Sequence, residues 1–294
     1  MKKRALIFGH TGQDGYYLTN LLKKHDIEVK GISRTVMDFP CDITNFDSVC
    51  DVLREFSPQY IFDFAAISTT SHKAYFDNHM IIGTGTANLL EAVRLFLPNA
   101  CVFLAGSGLQ FVNEGQPIRE ATPLDATSSY AAVRNYSYYL ARYFRASYGL
   151  RVYYGFFFTH DSPRRSSDHM SQKIAMAARM AANGSLEKLE IGAVDVCKEY
   201  LFAGDAMEAV WTLVTQEQVH EVIIGNGEAH SIKEWAEKCF DYVGLDWRNY
   251  VTPVKGFIPE YSCLVSDPTL LRSLGWRHKT GFDDLVRMMM EAES

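Results

Sequence analysis

The fold is decided by the stretch Arg4–Gly15, RALIFGHTGQDG, at the start of the chain. Its first part, Ala5–Phe8, is a short apolar run that predicts a buried parallel strand. The strand leads directly into the pattern G-x-x-G-x-x-G of Gly9–Gly15, and the amphipathic stretch Tyr16–Lys24 behind it predicts a helix. A glycine-rich turn between a strand and a helix is typical of a dinucleotide-binding site.

Each glycine of this turn has a physical role in such a site. The first permits a tight turn, the second lets the backbone approach a pyrophosphate, and the third lets the helix pack closely on the strand. The helix N-terminus offers free N–H groups and a positive dipole end to the phosphates. Chance glycines in an ordinary turn are the alternative, and the strand and helix on either side favour dinucleotide binding.

Composition limits the classes of protein that the chain can be. Its 294 residues suffice for one large or two modest domains, and a hydrophobic content of 47% is that of an ordinary globular protein. A net charge of −6 leaves no broad basic surface for nucleic acid. No apolar stretch approaches ~18 residues, and the run behind the basic N-terminus is too short for a signal peptide. We therefore expect a cytoplasmic protein with no membrane or nucleic-acid partner.

The six cysteines are scattered and lack metal-binding spacing, so they predict buried free thiols and no metal site.

Apolar strands alternate with helices, which predicts an α/β protein with a doubly wound parallel sheet. The predicted strands are Ala5–Phe8, Ile27–Ile32, Tyr60–Phe64, Ala100–Ala105, Arg151–Phe158 and Glu221–Ile224. The predicted helices are Tyr16–Lys24, Phe46–Phe56, Thr84–Phe96, Ser128–Tyr148 and a stretch from about Asp168 to Ala182. Because the chain becomes loop-rich from Thr159, we predict a dinucleotide-binding domain of residues 1–158, to which 194–224 returns. Residues 159–193 and 225–294 would form a smaller C-terminal substrate domain.

Arg34, near the end of the second predicted strand, indicates the type of cofactor. An NAD site usually places Asp or Glu about 20 residues past the glycines, to bind the ribose 2′-hydroxyl. Arg34 stands in that region instead, and a guanidinium suits a 2′-phosphate, which favours NADP over NAD. A solvated arginine is the alternative.

Ser107, Tyr130 and Arg134 form the chemically suggestive set. Ser107 follows a predicted strand, at the sheet edge where ligands of such folds bind. Tyr130 and Arg134 are one helical turn apart and share a face, and a neighbouring cation favours the phenolate form of a tyrosine. Such a tyrosine can move a proton to or from a sugar hydroxyl that the serine orients. Packing plus a surface cation is the alternative for the pair taken alone.

Several segments together resemble the extended short-chain dehydrogenases/reductases, and among them the GDP-mannose 4,6-dehydratases. The opening ALIFGHTGQDGYYL is similar to the family's opening, and HDSPRRSSDHMSQKI (His160–Ile174) resembles its H-E-S-P-R-R segment. GNGEAHSIKEW (Gly225–Trp235) and SDPTLLRSLGW (Ser266–Trp276) match later landmarks, so the resemblance spans nearly the whole chain.

The resemblance implies a Rossmann fold, NADP as cofactor and a nucleotide-sugar substrate, with a GDP-sugar expected. It implies catalytic roles for Ser107, in place of the family's threonine, and for Tyr130, with Arg134 beside it. The residues that it places against NADP are Gly9, His10, Thr11, Gly12, Gln13, Asp14, Arg34, Asp42, Ile43, Phe64, Ala65, Ala66, Ser68, Tyr130, Arg134, His160 and Arg165. Those that it places against the substrate are Thr159, Lys173, Lys198 and Glu260. It also implies a homodimer that pairs through Ser128–Tyr148, and the short loop after Arg34 argues against the family's tetramer.

Departures from the family pattern bear on the reaction. Leu109 stands where the dehydratases have a glutamate that removes the C5 proton and helps to expel the C6 hydroxyl. Arg134 replaces a lysine and Phe257 replaces an arginine thought to grip the diphosphate, while Thr159 and Lys198 replace an asparagine and an arginine.

Three hypotheses follow. The first is an NADP-dependent oxidoreductase acting at C4 of a nucleotide sugar without elimination of water. The second is a true 4,6-dehydratase with its carboxylate elsewhere, for which Glu114 is a poor candidate. The third is a cofactor-binding subunit with little catalysis.

Overall fold

The structure is a computed structural model that describes residues 2–33, 38, 41–186 and 188–292. Its strands are β1 (Arg4–Phe8), β2 (Glu28–Ile32), β3 (Tyr60–Asp63), β4 (Cys101–Ser107), β5 (Arg151–Phe157), β6 (His160–Asp161), β7 (Leu189–Ile191), β8 (Cys197–Glu199), β9 (Leu201–Phe202), β10 (Glu221–Ile224), β11 (Ala229–Ser231), β12 (Val251–Pro253) and β13 (Cys263–Leu264). Its α-helices are α1 (Gln13–Lys24), α2 (Phe46–Phe56), α3 (Tyr75–Asn78), α4 (Gly85–Phe96), α5 (Ser129–Tyr148), α6 (Met170–Ala182), α7 (Ala203–Val214), α8 (Ile232–Tyr242), α9 (Thr269–Ser273) and α10 (Phe282–Glu291).

The central sheet has six parallel strands in the order β10-β5-β4-β3-β1-β2. The chain winds in opposite directions from β1, toward β2 on one side and toward β3 on the other. In open α/β sheets ligands bind outside the carboxyl ends of the strands at such a reversal. The predicted doubly wound Rossmann-type fold is therefore confirmed.

Helices cover both faces of the sheet. One core cluster joins α2, α4 and α5 to apolar side chains of β1, β4 and β5, and a second joins α1 and α7 to the opposite face. Because both faces are covered, the strands read as continuous apolar runs. The longest helix, α5, begins where the Ser128 side chain accepts a hydrogen bond from the N–H of Ala131 and ends at Gly149, which has a φ of 68°.

The C-terminal elements have an apolar cluster of their own, formed mainly by α6, α8 and α10 with Trp235 and Phe240 at its centre. A small sheet, β11-β8-β13, lies in this region. Leu271 and Trp276, however, pack in the cluster of α1 and α7. The predicted division of the chain into two domains stays a prediction.

The predicted strands and helices are confirmed to within three residues at their ends. The helix α7 is an addition to the predicted helices, although its buried residues, such as Ala206, Val210 and Leu213, recur at helical spacing. All six cysteines are free thiols, as predicted, but Cys197 and Cys263 are only half-buried because they lie on short strands of the small sheet.

Candidate functional site

A cleft of about 1140 Å³ lies at the carboxyl ends of β1, β3 and β4. Its lining includes the glycine turn after β1, the loop after β3, the end of β4, the first turns of α5 and the segment that follows β5. Single small-molecule sites typically measure ~300–1,000 Å³, so the cleft is slightly larger than the usual range for one ligand.

The glycine turn is shaped for close approach of a ligand. Gly9 has a φ of 78°, and a Cβ atom there would lie 3.1 Å from the carbonyl carbon of Phe64 on the loop after β3. A Cβ atom at Gly15 would lie 2.3 Å from the Cα of His10, so the third glycine lets α1 pack on the turn. Gly12 is the N-cap residue of α1 and has no side chain that could accept a hydrogen bond from the first N–H groups of the helix. These N–H groups are therefore available to an anion. These features fit a dinucleotide pyrophosphate.

Asp14 and His160 form an ion pair beside this turn, with 2.9 Å between Oδ1 and Nε2. The other ring nitrogen of His160 lies 2.9 Å from the carbonyl oxygen of Phe158. Burial by itself would lower the pKa of His160, but the charge and hydrogen bond of Asp14 raise it above its usual value. Burial likewise opposes ionisation of Asp14, and His160 still holds the pKa of that carboxyl below its usual value. The pair links α1 to the segment after β5.

The predicted cofactor residues divide into two groups. Those that line the cleft are Gly9, Thr11, Gly12, Gln13, Asp14, Phe64, Ala66, Ser68, Tyr130, Arg134, His160 and Arg165. Arg34 lies outside the described residues. The side chains of His10, Asp42, Ile43 and Ala65 do not line the cleft as described.

Local packing accounts for those four positions. The His10 ring lies over Gly31, where a Cβ atom would come within 2.1 Å of its Cγ. The Asp42 carboxylate accepts hydrogen bonds from Thr44, and Ile43 is buried against α4. Ala65 packs partly against the core and donates its N–H to Asp63. Contacts of these four with a cofactor stay predictions that their side-chain positions do not support.

Ser107 is the last residue of β4, and its hydroxyl lies in the cleft. Its Oγ accepts a hydrogen bond from the N–H of Leu109 at 3.2 Å, while its own N–H donates to the Gln110 side chain at 2.8 Å. The hydroxyl group of Ser107 therefore donates no hydrogen bond within this turn. It can donate to an oxygen of a bound ligand.

Tyr130 and Arg134 lie together at the start of α5, as their spacing predicts. The Nε of Arg134 donates to the phenolic oxygen of Tyr130 at 3.2 Å, and its NH1 donates to the carbonyl oxygen of Ala105 at 2.6 Å. Arg134 is 6% exposed. Burial opposes its charge, but the neighbouring Tyr130 and other groups raise the pKa of the guanidinium above its usual value. Arg134 is thus a fixed cation under the tyrosine.

Leu109 lies directly beside this group. It lines the cleft and packs against a small apolar cluster of Ile82, Tyr130 and Val133. It contributes no titratable group at a position two residues from Ser107.

Three of the four acidic side chains that line the cleft accept hydrogen bonds, although Oδ2 of Asp161 has no partner among the described residues. Asp14 pairs with His160, Asp161 accepts from Ser171 at 2.6 Å, and Glu260 accepts from Thr70 at 2.6 Å. The exception among the described residues is Asp168, which is exposed. Glu114 is exposed and does not line the cleft.

Three of the four predicted substrate residues line the cleft: Thr159, Lys198 and Glu260. Lys198 is 9% exposed, and burial lowers the pKa of its amine despite the nearby charge of Asp161. Lys173 is exposed and does not line the cleft, because its neighbours Gln172 and Ile174 take the buried face of α6. Substrate contact by Lys173 stays a prediction that its position does not support.

Sequence reasoning missed two buried residues near Ser107 and Arg134. Asp63, the last residue of β3, is 5% exposed, and burial raises the pKa of its carboxyl to about 6 against the opposing effects of the Ala65 N–H and the Arg134 charge. Gln110 is fully buried and also accepts from the Tyr154 hydroxyl at 3.2 Å. A polar residue at the end of an apolar strand was the available signal for Asp63.

No group of three or more His, Cys, Asp or Glu side chains that could hold a metal occurs in the described part of the chain. Across the same residues, the helices are too short or too polar to cross a membrane.

Comparisons with known proteins agree with this geometry. The family model described as GDP-mannose 4,6 dehydratase matches residues 6–289. GDP-mannose 4,6 dehydratase 1 of Arabidopsis thaliana is 30% identical over 324 residues, covering 99% of this chain and 90% of that protein. GDP-mannose 4,6 dehydratase of Homo sapiens is 30% identical over 339 residues, covering 98% of this chain and 91% of that protein.

Solved structures show the same fold at lower identity. RMD from Pseudomonas aeruginosa, complexed with NADPH, aligns with a TM-score of 0.88 at 20% identity and covers 99% of this chain and 98% of its own. The Thermus thermophilus UDP-glucose 4-epimerase complex with NAD aligns with a TM-score of 0.85 at 24% identity and covers 98% of each chain.

Proposed function

The chain belongs to the GDP-mannose 4,6-dehydratase family, and from this premise we propose that it is an NADP-dependent oxidoreductase that acts at C4 of a nucleotide-activated sugar and does not eliminate water. The observation that carries the proposal is Leu109. Its side chain lines the cleft beside Ser107 and Tyr130, at the position where the family's glutamate is expected.

The cofactor fits the cradle made by Gly9, Gly12 and the start of α1, where the backbone comes close and amide groups are free. When bound, the nicotinamide ring supplies the acceptor or donor of the hydride at C4. NADP is proposed over NAD because Arg34 occupies the region where NAD sites place a carboxylate. The Asp14–His160 pair lies beside the turn and helps to hold its shape.

Tyr130 is proposed as the group that moves the proton of the C4 hydroxyl. The guanidinium of Arg134 stabilises the phenolate that forms when Tyr130 gives up its proton. Arginine keeps its own proton, so Arg134 acts by charge and by hydrogen bonding and does not relay protons. Ser107, whose Oγ accepts from Leu109, donates its hydroxyl proton to the C4 oxygen and orients it.

Elimination of water across C5 and C6 needs a base for the C5 proton and an acid for the leaving hydroxyl. Leu109 can be neither. Of the four acidic side chains that line the cleft, Asp14, Asp161 and Glu260 hold hydrogen bonds to other residues, so the alternative of a true dehydratase would depend on Asp168.

A GDP-sugar is proposed as the substrate class. Lys198 lines the cleft, is nearly buried, and places its amine 4.9 Å from the centre of the Tyr200 ring. Its charge is available to the diphosphate of such a substrate.

A cofactor-binding subunit with little catalysis is the second candidate. It is favoured by Phe257, which stands where the family has an arginine and is 53% exposed outside the cleft lining. If that arginine's contribution is not replaced, the substrate would bind weakly.

The test is hydride transfer by the purified protein. We expect NADPH to form from NADP, or to be consumed, when GDP-hexoses or their 4-keto forms are supplied in turn. Turnover that is lost in Tyr130→Phe but kept in Tyr136→Phe, an exposed tyrosine on the same helix, supports the proposal. Binding of cofactor without turnover on any such sugar would favour the second candidate.

A further inference from the structure

We infer that Asp63 is a positioning residue for the Tyr130–Arg134 pair: its carboxyl group balances the buried guanidinium of Arg134, and its protonation changes the net charge beside Tyr130. This inference rests on the proposed function, in which Tyr130 moves a proton. It concerns a residue that no sequence motif marks.

The sheet register brings Asp63 and Arg134 to the same edge. Asp63 ends β3 and pairs with Leu104 on the neighbouring strand β4. The next residue of β4, Ala105, gives its carbonyl oxygen to NH1 of Arg134 at 2.6 Å. The guanidinium therefore lies over the strand that adjoins Asp63.

Both groups are buried, so the electrostatic interaction between their charges is only weakly screened by water. Asp63 is 5% exposed and Arg134 is 6% exposed. A buried ion without a counter-charge is costly. The Arg134 charge favours ionisation of Asp63, and the Asp63 charge in turn favours the charged form of Arg134, although no direct ion pair joins the two described side chains.

The neighbouring groups Tyr154, Asp14 and His160 do not supply a counter-charge to Arg134. Tyr154, on β5, donates to the carbonyl oxygen of Arg134 at 3.0 Å, and burial raises its pKa to about 12, so it stays neutral. Asp14 and His160 are paired with each other across the glycine turn. Arg134 cannot lose its proton at any accessible pH.

Asp63 is consequently the group of this set that changes charge near neutrality. Burial raises the pKa of its carboxyl to about 6, even though the Ala65 N–H and the Arg134 charge favour ionisation. Above that pH the charges of Asp63 and Arg134 cancel. Below it a net positive charge remains beside Tyr130 and stabilises the phenolate more strongly.

The first experiment needs no substrate. The carboxyl carbons of aspartate are labelled with ¹³C, the Asp63 signal is assigned by its absence in Asp63→Asn, and its chemical shift is followed with pH. We expect a midpoint at a pH of about 6. In Arg134→Met the midpoint should rise, because an opposite charge nearby lowers the pKa of a carboxyl group. Arg134→Lys keeps the charge and should leave the midpoint where it is in the unmodified protein.

An Asp63 midpoint that is the same in the unmodified protein and in Arg134→Met would show that the two groups do not interact, and would overturn the inference. If Arg134→Met does not fold, Arg134→Gln serves the same comparison. This titration gives its answer whether or not the proposed reaction is correct.

The second experiment connects Asp63 to the reaction. The Asp63→Asn variant keeps the side-chain oxygen that accepts from Ala65, so the local turn is preserved. We expect the pH profile of kcat to show an inflection at a pH of about 6 that this variant lacks, with KM for the cofactor little changed. The matched control is Asp205→Asn, a buried aspartate that accepts from Lys279 and Thr280 away from the cleft, which should keep the inflection. The same inflection in Asp63→Asn would contradict a role in the proton step.

Discussion

Arg134 lies one helical turn after Tyr130 and donates from its Nε to the phenolic oxygen at 3.2 Å. Because arginine has no acceptor, Tyr130 must accept this bond and its own hydroxyl proton is directed elsewhere. The guanidinium is also fixed to the carbonyl of Ala105 at 2.6 Å. The tyrosine is thereby held with its proton available to a ligand in the cleft.

Tyr130→Phe removes that proton and should reduce hydride transfer ~10²–10⁴-fold, the usual contribution of a general acid–base group. Cofactor affinity should change little, because the ring and the Arg134 contact with Ala105 remain. The measurement is the rate of NADPH formation or consumption together with a cofactor titration. Tyr136→Phe is the control, and an equal loss of rate in both variants would show that the effect is not specific to Tyr130.

NADP should bind more tightly than NAD because of Arg34. Arg34→Ala should weaken NADP binding by about 1–3 kcal/mol, the scale of a hydrogen bond to a charged group, and should leave NAD binding nearly unchanged. Calorimetric titration with both cofactors decides this, with Arg248→Ala, an exposed arginine outside the cleft lining, as control. Equal affinity of the unmodified protein for the two cofactors would refute the prediction.

The Asp14–His160 pair predicts how stability depends on pH. The pKa of His160 is raised in the folded protein. The stabilisation of the folded state by its charged form is therefore complete below the ordinary pKa of 6.5, and it is lost as the pH rises through the raised pKa. The pKa of Asp14 is lowered, so its contribution is present above the ordinary value of 3.8 and is lost as the pH falls through the lowered value.

Asp14→Asn should therefore destabilise the protein most between these two ordinary values, by roughly 1–3 kcal/mol. Denaturant unfolding across this pH range measures it. A destabilisation that stays constant well above the raised pKa of His160 would show that the ion pair is not the cause.

A homodimer is expected from the surface of α5. Tyr136, Tyr139, Tyr143 and Tyr148 are exposed along this helix, and Leu95 of α4 is exposed near it. Large exposed apolar side chains on adjoining helices favour an interface. Light scattering at micromolar concentration should give twice the chain mass, and Tyr139→Glu should give monomer. A tetrameric mass for the unmodified protein would be incompatible with the prediction.

The sequence is informative where a property is local. Strand β1, the glycine turn and α1 follow from the order of apolar residues and glycines, and the shared face of Tyr130 and Arg134 follows from helical spacing. Asp63 could not be assigned in this way, because Arg134 lies on α5 and only the register of β3 with β4 brings the two residues to the same edge of the sheet. Lys173 shows the converse, since a matching motif did not reveal that its side chain points away from the cleft.

Leu109 distinguishes the proposed reaction from that of the family's named members. Leu109→Glu is the complementary variant, and it should introduce measurable elimination of water if the rest of the site supports the substrate. Leu109→Gln, of similar size but without an acid–base group, is its matched control and should not. Elimination by both variants, or by neither, would mean that the residue at this position does not govern the step.

The most direct measurement is the product formed by the unmodified protein from GDP-hexoses and NADP in heavy water, analysed by mass and by deuterium at C5 and C6. We predict hydride exchange at C4, no loss of water and no deuterium at C6. A 4-keto-6-deoxy sugar formed at an ordinary enzymatic rate would contradict this prediction and establish the dehydratase reaction instead.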